Sequence, residues 1–418
     1  VAALTDAARR WRDADFPPRV RATRQLMQRT GYSEPVVDYA LDRLFGGIRA
    51  DDVRAVIASE LGSLAALDGF VTRPGRPDVY FRGVPRSVIV SSQTTIGVAI
   101  PPLVFALCAK TQVLVKDRAD ALVASFVETI LEEEPRLAEH VSVESWTGED
   151  EPASRARLGS ADVVVAFGGD AALLAIRAQL APQARFVPFG HRTSVGYIAR
   201  EALANESAAA DVARAIALDA LLYDGEGCLS LHAVFIERGA AVDPAAFAII
   251  LSRAFEAHTI EFPAGNAEPR PDLVAYRRAS AFRASQGRGE LYGAFASGPR
   301  FGPGPATSAS GPGFQASANG HVIVLDAPFN EPPPLLPGTL ALCPVDGPLE
   351  ALAYLQYHKL ALEAFARAED LRDDVAELAL ASGASRLARF GTLQDPPLAG
   401  DHGGEGRISP FVHAIYRA

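Results

Sequence analysis

The chain of 418 residues has only three cysteines, at positions 108, 228 and 343, and none stands at metal-ligand spacing from another. An odd count without such spacing suits a reducing cytosol, and a cytoplasmic location is expected. No His-Glu-x-x-His is present, so no metal is expected, and no Gly-x-Ser-x-Gly elbow announces a serine nucleophile. No apolar run reaches the ~18–20 residues that a bilayer span takes. Val1 to Arg10 reads as an amphipathic helical start carrying two arginines, not as a signal peptide. Basic stripes are also missing. With a net charge of −10, this sets aside nucleic acid and anionic membrane as main partners. There is no internal repeat.

A composition of 49% apolar and 22% charged residues describes a globular protein of two or three domains. The first eighty or so residues read as helices. Ser33 is the expected N-cap of one of them, with Pro35 in its first turn and an apolar face from Val36 to Leu44. Arg73 to Pro77, rich in Pro and Gly, is an expected hinge. From Ser87 short strands alternate with helices: Ser87–Ser91, Gln112–Lys116, Val141–Glu144, Ala161–Phe167 and Arg185–Pro188. This spacing predicts a doubly wound parallel sheet, with the unbroken Val163-Val164-Val165-Ala166-Phe167 as a central strand. A second α/β unit is expected from about Glu201, and Gly298 to Asn319 reads as a surface loop.

Cys228 follows a predicted helix, Ser207 to Leu222, and the glycine-bearing turn Asp224-Gly225-Glu226-Gly227. An apolar strand, Leu229 to Glu237, is predicted after it. Flanking glycines let backbone N–H groups and a substrate carbonyl come close, as nucleophilic acyl transfer requires. The same residue could instead be a small buried hydrophobe at the start of a strand. Phe167-Gly168-Gly169-Asp170 forms a strand–turn–helix junction able to present free N–H groups to a phosphate, although it is not Gly-x-Gly-x-x-Gly. A ligand-free turn with Asp170 as N-cap explains it equally. Lys116 ends a parallel strand, where it can donate to a ribose or phosphate, and Arg118 follows. A solvated strand-end charge is the plain alternative. Gln93, Thr94 and Thr95 follow a strand and could complete an oxyanion hole, or be ordinary loop polarity. His232 would lie ~13 Å from Cys228 along a strand, too far to activate it directly. Cys108 and Cys343 lack the glycine setting.

Together these segments resemble the aldehyde dehydrogenase superfamily, and within it the acyl-CoA reductase branch of the LuxC type. The residues carrying the resemblance lie around Cys228, in Phe167 to Asp170, in Phe189-Gly190-His191-Arg192-Thr193-Ser194-Val195-Gly196, and from Ser385-Arg386 through Phe390-Gly391 and Asp395-Pro396-Pro397 to Arg407. The resemblance implies an α/β fold of two doubly wound domains, a Rossmann-like cofactor domain and a catalytic thiol domain. Residues 1–200 would carry the N-terminal helices and the NADP-binding domain, 201–395 the catalytic cysteine domain, and 396–418 a tail packing back on the body. It also implies that Cys228 is the catalytic cysteine and that Lys116 binds the adenosine ribose. Gln93, with Thr94 or Thr95, stands near the position of an oxyanion-holding asparagine. Arg118, Gly168, Gly169 and Asp170 complete the implied cofactor site.

Three departures from the superfamily pattern sharpen the expectation. Aldehyde-oxidising members carry a glutamate as base for the hydrolytic water, where this chain has Val187-Pro188-Phe189-Gly190. The missing acid favours exchange with a thiol carrier. NAD-preferring members have a glutamate where this chain has Ala119, beside Arg118, which favours NADPH. The glutamate that usually holds the nicotinamide ribose is replaced by Leu340. The implied activity is NADPH-dependent reduction of an acyl thioester, acyl-CoA or an acyl donor protein, to the aldehyde through an acyl-cysteine at Cys228. Aldehyde oxidation, acyl-phosphate reduction and a non-catalytic role are the alternatives. A homo-oligomer is expected.

Overall fold

Four helices open the chain: Ala2–Arg10 (α1), Pro17–Thr30 (α2), Glu34–Gly47 (α3) and Ala50–Leu61 (α4). The structure, a computed structural model, describes residues 1–92, 95–117, 121–147, 151–265, 271–293, 322–325, 331–368 and 372–417. These fall into two units, one of residues 1–30, 37–191 and 397–418, the other of residues 31–36 and 192–396. In the first unit α1 is anchored by Trp11, fully buried, whose indole N–H donates to Thr129 Oγ1 at 3.0 Å and whose ring packs on Phe45 and Phe126. Ser33 does not cap through its side chain. Its Oγ is buried without a hydrogen-bond partner. The expected hinge at Arg73–Pro77 is instead the reversal of a hairpin, Val71–Arg73 (β1) against Arg76–Gly83 (β2). Gly75 supplies the left-handed φ of 69° that the reversal needs, so the Pro-Gly pair marks a turn and not a linker.

The parallel sheet of this unit runs Arg86–Val90 (β3), Ile100–Cys108 (α5), Gln112–Lys116 (β4), Leu122–Glu133 (α6), Val141–Glu144 (β5), Glu151–Leu158 (α7), Val163–Phe167 (β6), Asp170–Arg177 (α8) and Arg185–Phe189 (β7). Its strand order is β5-β4-β3-β6-β7, parallel throughout. β6 is buried at every position, as its unbroken apolar run predicts. Val164 and Ala166 pack with Leu158 and Leu173 from the neighbouring helices. The winding reverses between β3 and β6. At such a point the connecting segments diverge and leave a crevice at the carboxyl ends of the strands.

The second unit runs Thr193–Ile198 (β8), Glu206–Leu221 (α9), Leu231–Glu237 (β9), Pro244–Glu261 (α10), Pro271–Ser285 (α11), Glu290–Gly293 (β10), Val322–Leu325 (β11), Thr339–Val345 (β12), Pro348–His358 (α12), Leu362–Arg367 (β13), Asp373–Ala381 (α13) and Arg386–Arg389 (β14). Its seven strands lie in the order β10-β11-β12-β9-β8-β13-β14, and only β10 is antiparallel to its neighbour. Ile216, Phe247 and Phe255 of α9 and α10 meet Val234 and Ile236 on one face. Tyr354, Leu355 and Leu378 of α12 and α13 meet Val195, Phe235 and Phe365 on the other. In the first unit, Val412–Arg417 (β15) pairs antiparallel with β2 and completes a three-stranded sheet. The Gly298–Asn319 segment lies outside the described residues. Among the described residues no helix is long and apolar enough to cross a membrane.

At the carboxyl end of β9 Glu237 has no exposed surface. It accepts from Tyr197 Oη at 2.6 Å, from the Arg200 N–H and Nε at 3.1 and 2.9 Å, and from both terminal nitrogens of Arg372. Burial alone would push its carboxyl up. The donors from Arg372, Tyr197 and Arg200 outweigh it and hold the group at about 2. A carboxyl depressed on folding contributes stability that is complete above the ordinary glutamate range and is lost as pH falls toward the folded value. Glu237→Gln should cost about 1–3 kcal/mol at pH 7, because a buried carboxamide cannot accept from all of these donors and the charge facing the partly exposed guanidiniums is lost. Urea titrations at pH 7 and pH 3 check this: the gap between wild type and variant should narrow at pH 3.

Candidate active site

After α9 the backbone turns sharply. Tyr223, Asp224 and Gly225 adopt successive left-handed conformations, with φ of 58°, 55° and 72°. For the two non-glycine residues such a conformation costs roughly 1–2 kcal/mol each, so the surroundings must impose it. The Asp224 carboxylate accepts the Gly265 N–H at 3.4 Å. Burial pushes this carboxyl up to about 6, with Gly265 pulling it back and Glu226 adding to the rise. The Tyr223 ring meets Tyr32 at 5.9 Å. A Cβ on Gly225 would lie 2.9 Å from the Ala220 carbonyl oxygen, so the third position admits only glycine without rearrangement. Cys228 and Leu229 lie in the turn, and the strand begins at Leu231, two residues later than predicted. The strand spacing assumed between Cys228 and His232 therefore does not apply.

Cys228 is tied to the sheet from below. Ser194 of β8 donates its hydroxyl to the Cys228 carbonyl at 3.1 Å. The Gln394 side-chain amide donates to the Asp219 carbonyl at 2.9 Å and to Ser230 Oγ at 3.3 Å. The Asp219 carboxylate takes the N–H groups of Gly391 and Leu393 at 2.6 and 3.0 Å. Burial pushes it up to about 7 against those donors. Register slips flank Ser194 on both sides. Ser194 pairs with Leu231 while Val195 pairs with Ala233, so His232 is the extra residue of β9. Thr193 pairs with Leu362 while Ser194 pairs with Ala364, so Glu363 is the extra residue of β13. Such slips re-aim side chains beside functional sites. The Glu363 carboxylate lies 3.6 Å from Arg192 Nη1, which also donates to Ser385 Oγ at 3.3 Å. That hydroxyl donates to the Glu363 carbonyl at 3.0 Å.

Of the three cysteines, Cys228 is exposed, Cys108 intermediate and Cys343 buried. Cys228 as a residue is exposed, yet its thiol sits among closely packed protein atoms. Exposure governs access by a reagent; the crowding governs the cost of charging the sulfur. Desolvation pushes the thiol up to about 11 and Glu363 adds to the rise, while the N–H groups of Cys228 and Leu229 and the Arg192 guanidinium act the other way. The protonated thiol is therefore the favoured form at neutral pH. Burial pushes His232 down to about 4, so its ring is neutral; one nitrogen bonds the Pro334 carbonyl and Nδ1 is buried without a partner.

In the first unit Lys116 and Gly168-Gly169 both lie at carboxyl ends of the parallel strands, close in the strand order to the reversal between β3 and β6. The Lys116 ammonium sits 4.7 Å from the Trp146 ring centre, and Arg157 lies over the same ring at 5.0 Å. Gly169, not Asp170, is the N-cap of α8, without a side-chain cap, so Asp170 is the first helical residue. A Cβ on Gly169 would come to 3.0 Å from His191 Nε2, so the turn is narrow. A helix start uncapped by any side chain, a glycine turn and a strand-end lysine suit a dinucleotide phosphate and ribose, although the Asp170 carboxylate opposes the phosphate. Phe189, where oxidising enzymes keep an acid nearby, is stacked on Phe167 at 4.8 Å and on His402 at 4.2 Å. Thr95 is half-buried ahead of α5, whereas Gln93, Thr94, Arg118 and Ala119 lie outside the described residues. Leu340 is fully buried in the core of the second unit and has no surface for a ribose. Among the described residues no group of His, Cys, Asp or Glu is placed to hold a metal ion.

A family model described as acyl-CoA reductase (LuxC) matches residues 1–291. A long-chain acyl-protein thioester reductase of Aliivibrio fischeri is 25% identical over 243 residues, 56% of this chain. That match spans about half of the relative's length, 48%. The fold is that of aldehyde dehydrogenases, with a Rossmann-type and a catalytic domain. A NAD-dependent benzaldehyde dehydrogenase of Corynebacterium glutamicum superposes with a TM-score of 0.69 at 14% identity, over 100% of this chain and 85% of its own. An oxidoreductase of Marinobacter aquaeolei gives 0.69 at 13% identity, over 99% and 83%.

The thiol environment predicts how the cysteines react with iodoacetamide. Peptide mapping after brief treatment of the native protein should find Cys228 modified before Cys108 and Cys343. The Cys228 rate should still be rising at pH 10 instead of levelling near 9, since only the thiolate reacts.

Proposed function

Because this chain belongs to the acyl-CoA reductase (LuxC) family, we propose that it reduces a fatty acyl thioester to the aldehyde with NADPH, through an acyl group carried on Cys228. The observation that supports this reading best is the Cys228 turn: an exposed thiol on a backbone fixed by Ser194, with the N–H groups of Cys228 and Leu229 directed at it. The printed name of the Aliivibrio relative supports a long acyl chain delivered on a protein, and the family description supports delivery on coenzyme A. Family and fold imply a dinucleotide-binding Rossmann-type domain. Lys116 and Arg118 would hold the adenosine ribose and its 2′-phosphate, and the Gly168-Gly169-Asp170 backbone would take the pyrophosphate. Ala119 leaves out the acid that repels a 2′-phosphate. When bound, NADPH supplies the hydride that brings the acyl group to the aldehyde level.

In this reading Cys228 Sγ attacks the thioester carbonyl and the donor thiol departs. Gln93 and Thr94 help to hold the oxyanion. After reduction Cys228 is released as the free thiol. Self-association into a homo-oligomer belongs to the same reading.

Phe189 itself, stacked on Phe167 and His402, supplies no carboxylate to activate water. A positioned base contributes about 10²–10⁴-fold, so hydrolytic release of the acyl group should be slower by that order. Aldehyde and NADP⁺ should therefore give acyl-CoA when coenzyme A is present, and almost no free acid when it is absent. Rapid acid formation without the thiol would favour aldehyde oxidation instead. In the same assay Cys228→Ala should abolish turnover, and Cys108→Ala and Cys343→Ala should retain it.

For the cofactor, kcat/KM should favour NADPH over NADH. Ala119→Glu should weaken NADPH use by on the order of 1–3 kcal/mol through charge repulsion and desolvation. Equal kcat/KM for the two cofactors in the wild type would contradict the assignment.

A further inference from the structure

Residues 391–395, which follow β14 in the second unit, form neither helix nor strand, yet their backbone is held from two sides. On one side the buried Asp219 carboxylate of α9 takes the N–H groups of Gly391 and Leu393 at 2.6 and 3.0 Å. On the other, the Arg386 guanidinium donates to the carbonyls of Leu393, Thr392 and Asp395 at 2.8, 2.7 and 3.4 Å. Gly391 has a left-handed φ of 82°, and a Cβ there would lie 3.2 Å from Ala215 Cβ, so the loop meets α9 closely. Leu393 adds a fully buried apolar anchor. Connecting segments ordinarily run over the surface and are free to vary. This one is clamped.

What the clamp delivers is the buried Gln394 side chain. Its amide donates to the Asp219 carbonyl at 2.9 Å and to Ser230 Oγ at 3.3 Å, which uses both of its N–H groups. Ser230 has no exposed surface and closes the turn that carries the thiol. Its N–H donates to the Gly227 carbonyl at 2.9 Å, with Cys228 and Leu229 between the two. A Cβ on Gly227 would lie 3.3 Å from Ser230 Oγ and 3.7 Å from Gln394 Oε1, so the amide stands against both ends of the turn. Ser194 reaches the same turn at the Cys228 carbonyl.

The geometry points to Gln394 as a positioning residue for Cys228: it holds the turn through Ser230, while Asp219 and Arg386 fix the loop that carries it. This inference rests on the acyl-transfer reading above. Attack on a thioester requires the sulfur to meet the carbonyl carbon of a bound substrate along a narrow approach, and a misplacement of about 1 Å can cost about 10²-fold. A small alkylating reagent is not itself held in place and makes no such demand. Loosening the turn therefore slows acylation and leaves alkylation nearly unchanged.

Two substitutions test this. Gln394→Met keeps the length of the side chain and removes both N–H donors, and Ser230→Ala removes only the acceptor on the turn. Acylation by saturating long-chain acyl-CoA without reductant, followed by intact mass, should be slower by about 10–100-fold in Gln394→Met, with half-saturation nearly unchanged. Ser230→Ala should show a fall of the same kind. The double variant should be little slower than Gln394→Met alone, because both changes cut one connection. Iodoacetamide should modify Cys228 in all three at close to the wild-type rate. If the amide only supports the fold, urea midpoints fall while acylation of the folded protein keeps its rate. That outcome, a parallel loss of acylation and alkylation, or effects that multiply in the double variant, overturns the assignment. If Gln394→Met fails to fold, Ser230→Ala decides, and unchanged acylation in that variant overturns it as well. If the wild type is not acylated by acyl-CoA or by an acyl-carrier thioester, the acyl-transfer reading itself fails and this inference with it.

Discussion

The hydrogen bond from the Ser194 hydroxyl to the Cys228 carbonyl fastens a strained turn to a rigid sheet. A nucleophile contributes little if its backbone drifts, since reacting atoms must be held within a fraction of an ångström of a productive geometry. Tyr223, Asp224 and Gly225 store conformational strain that only their surroundings hold in place. Gly265 binds the Asp224 carboxylate, Tyr32 packs on Tyr223, and Gln394 closes the turn from the other side through Asp219 and Ser230. β8, buried at every position, gives these contacts a fixed reference. The two register slips beside Ser194 then set His232 and Glu363 at positions that regular strands would have denied them.

The Cys228 thiol is shifted toward its protonated form. Desolvation and the Glu363 charge keep the proton on the sulfur, whereas two backbone N–H groups and Arg192 favour the anion. The first unit follows a different logic. Its crevice is assembled from backbone and strand ends, with Gly169 at the start of α8 and Lys116 at the end of β4.

Much of this was legible in the sequence because local rules and tertiary structure agree there. Val163 to Phe167 is a run that only a strand covered on both faces tolerates, and it is fully buried. The Cys228 turn announced itself by its glycines, although its left-handed residues include Tyr223 and Asp224, which no propensity would have chosen. The Pro-Gly pair near residue 75 carries the same composition in a hinge as in a hairpin, and only the partner strand β15, more than three hundred residues away, decides between them. β8 was hidden because Gly190 to Gly196 read as a motif more readily than as a strand. Glu363 could not be found at all from sequence. Its place as the extra residue of β13 depends on a one-residue slip against β8, and register is set by long-range packing.

The central claim is that Cys228 carries the acyl group between donor and reductant, and covalent chemistry reports on it directly. The protein is mixed with a long-chain acyl-CoA without cofactor, its intact mass is measured, and the modified peptide is mapped; NADPH is then added. One acyl group should be found on Cys228, and NADPH should discharge it as aldehyde in step with loss of the added mass. An acyl group on another residue, or aldehyde formed at full rate with no acyl-enzyme on Cys228, would contradict the account.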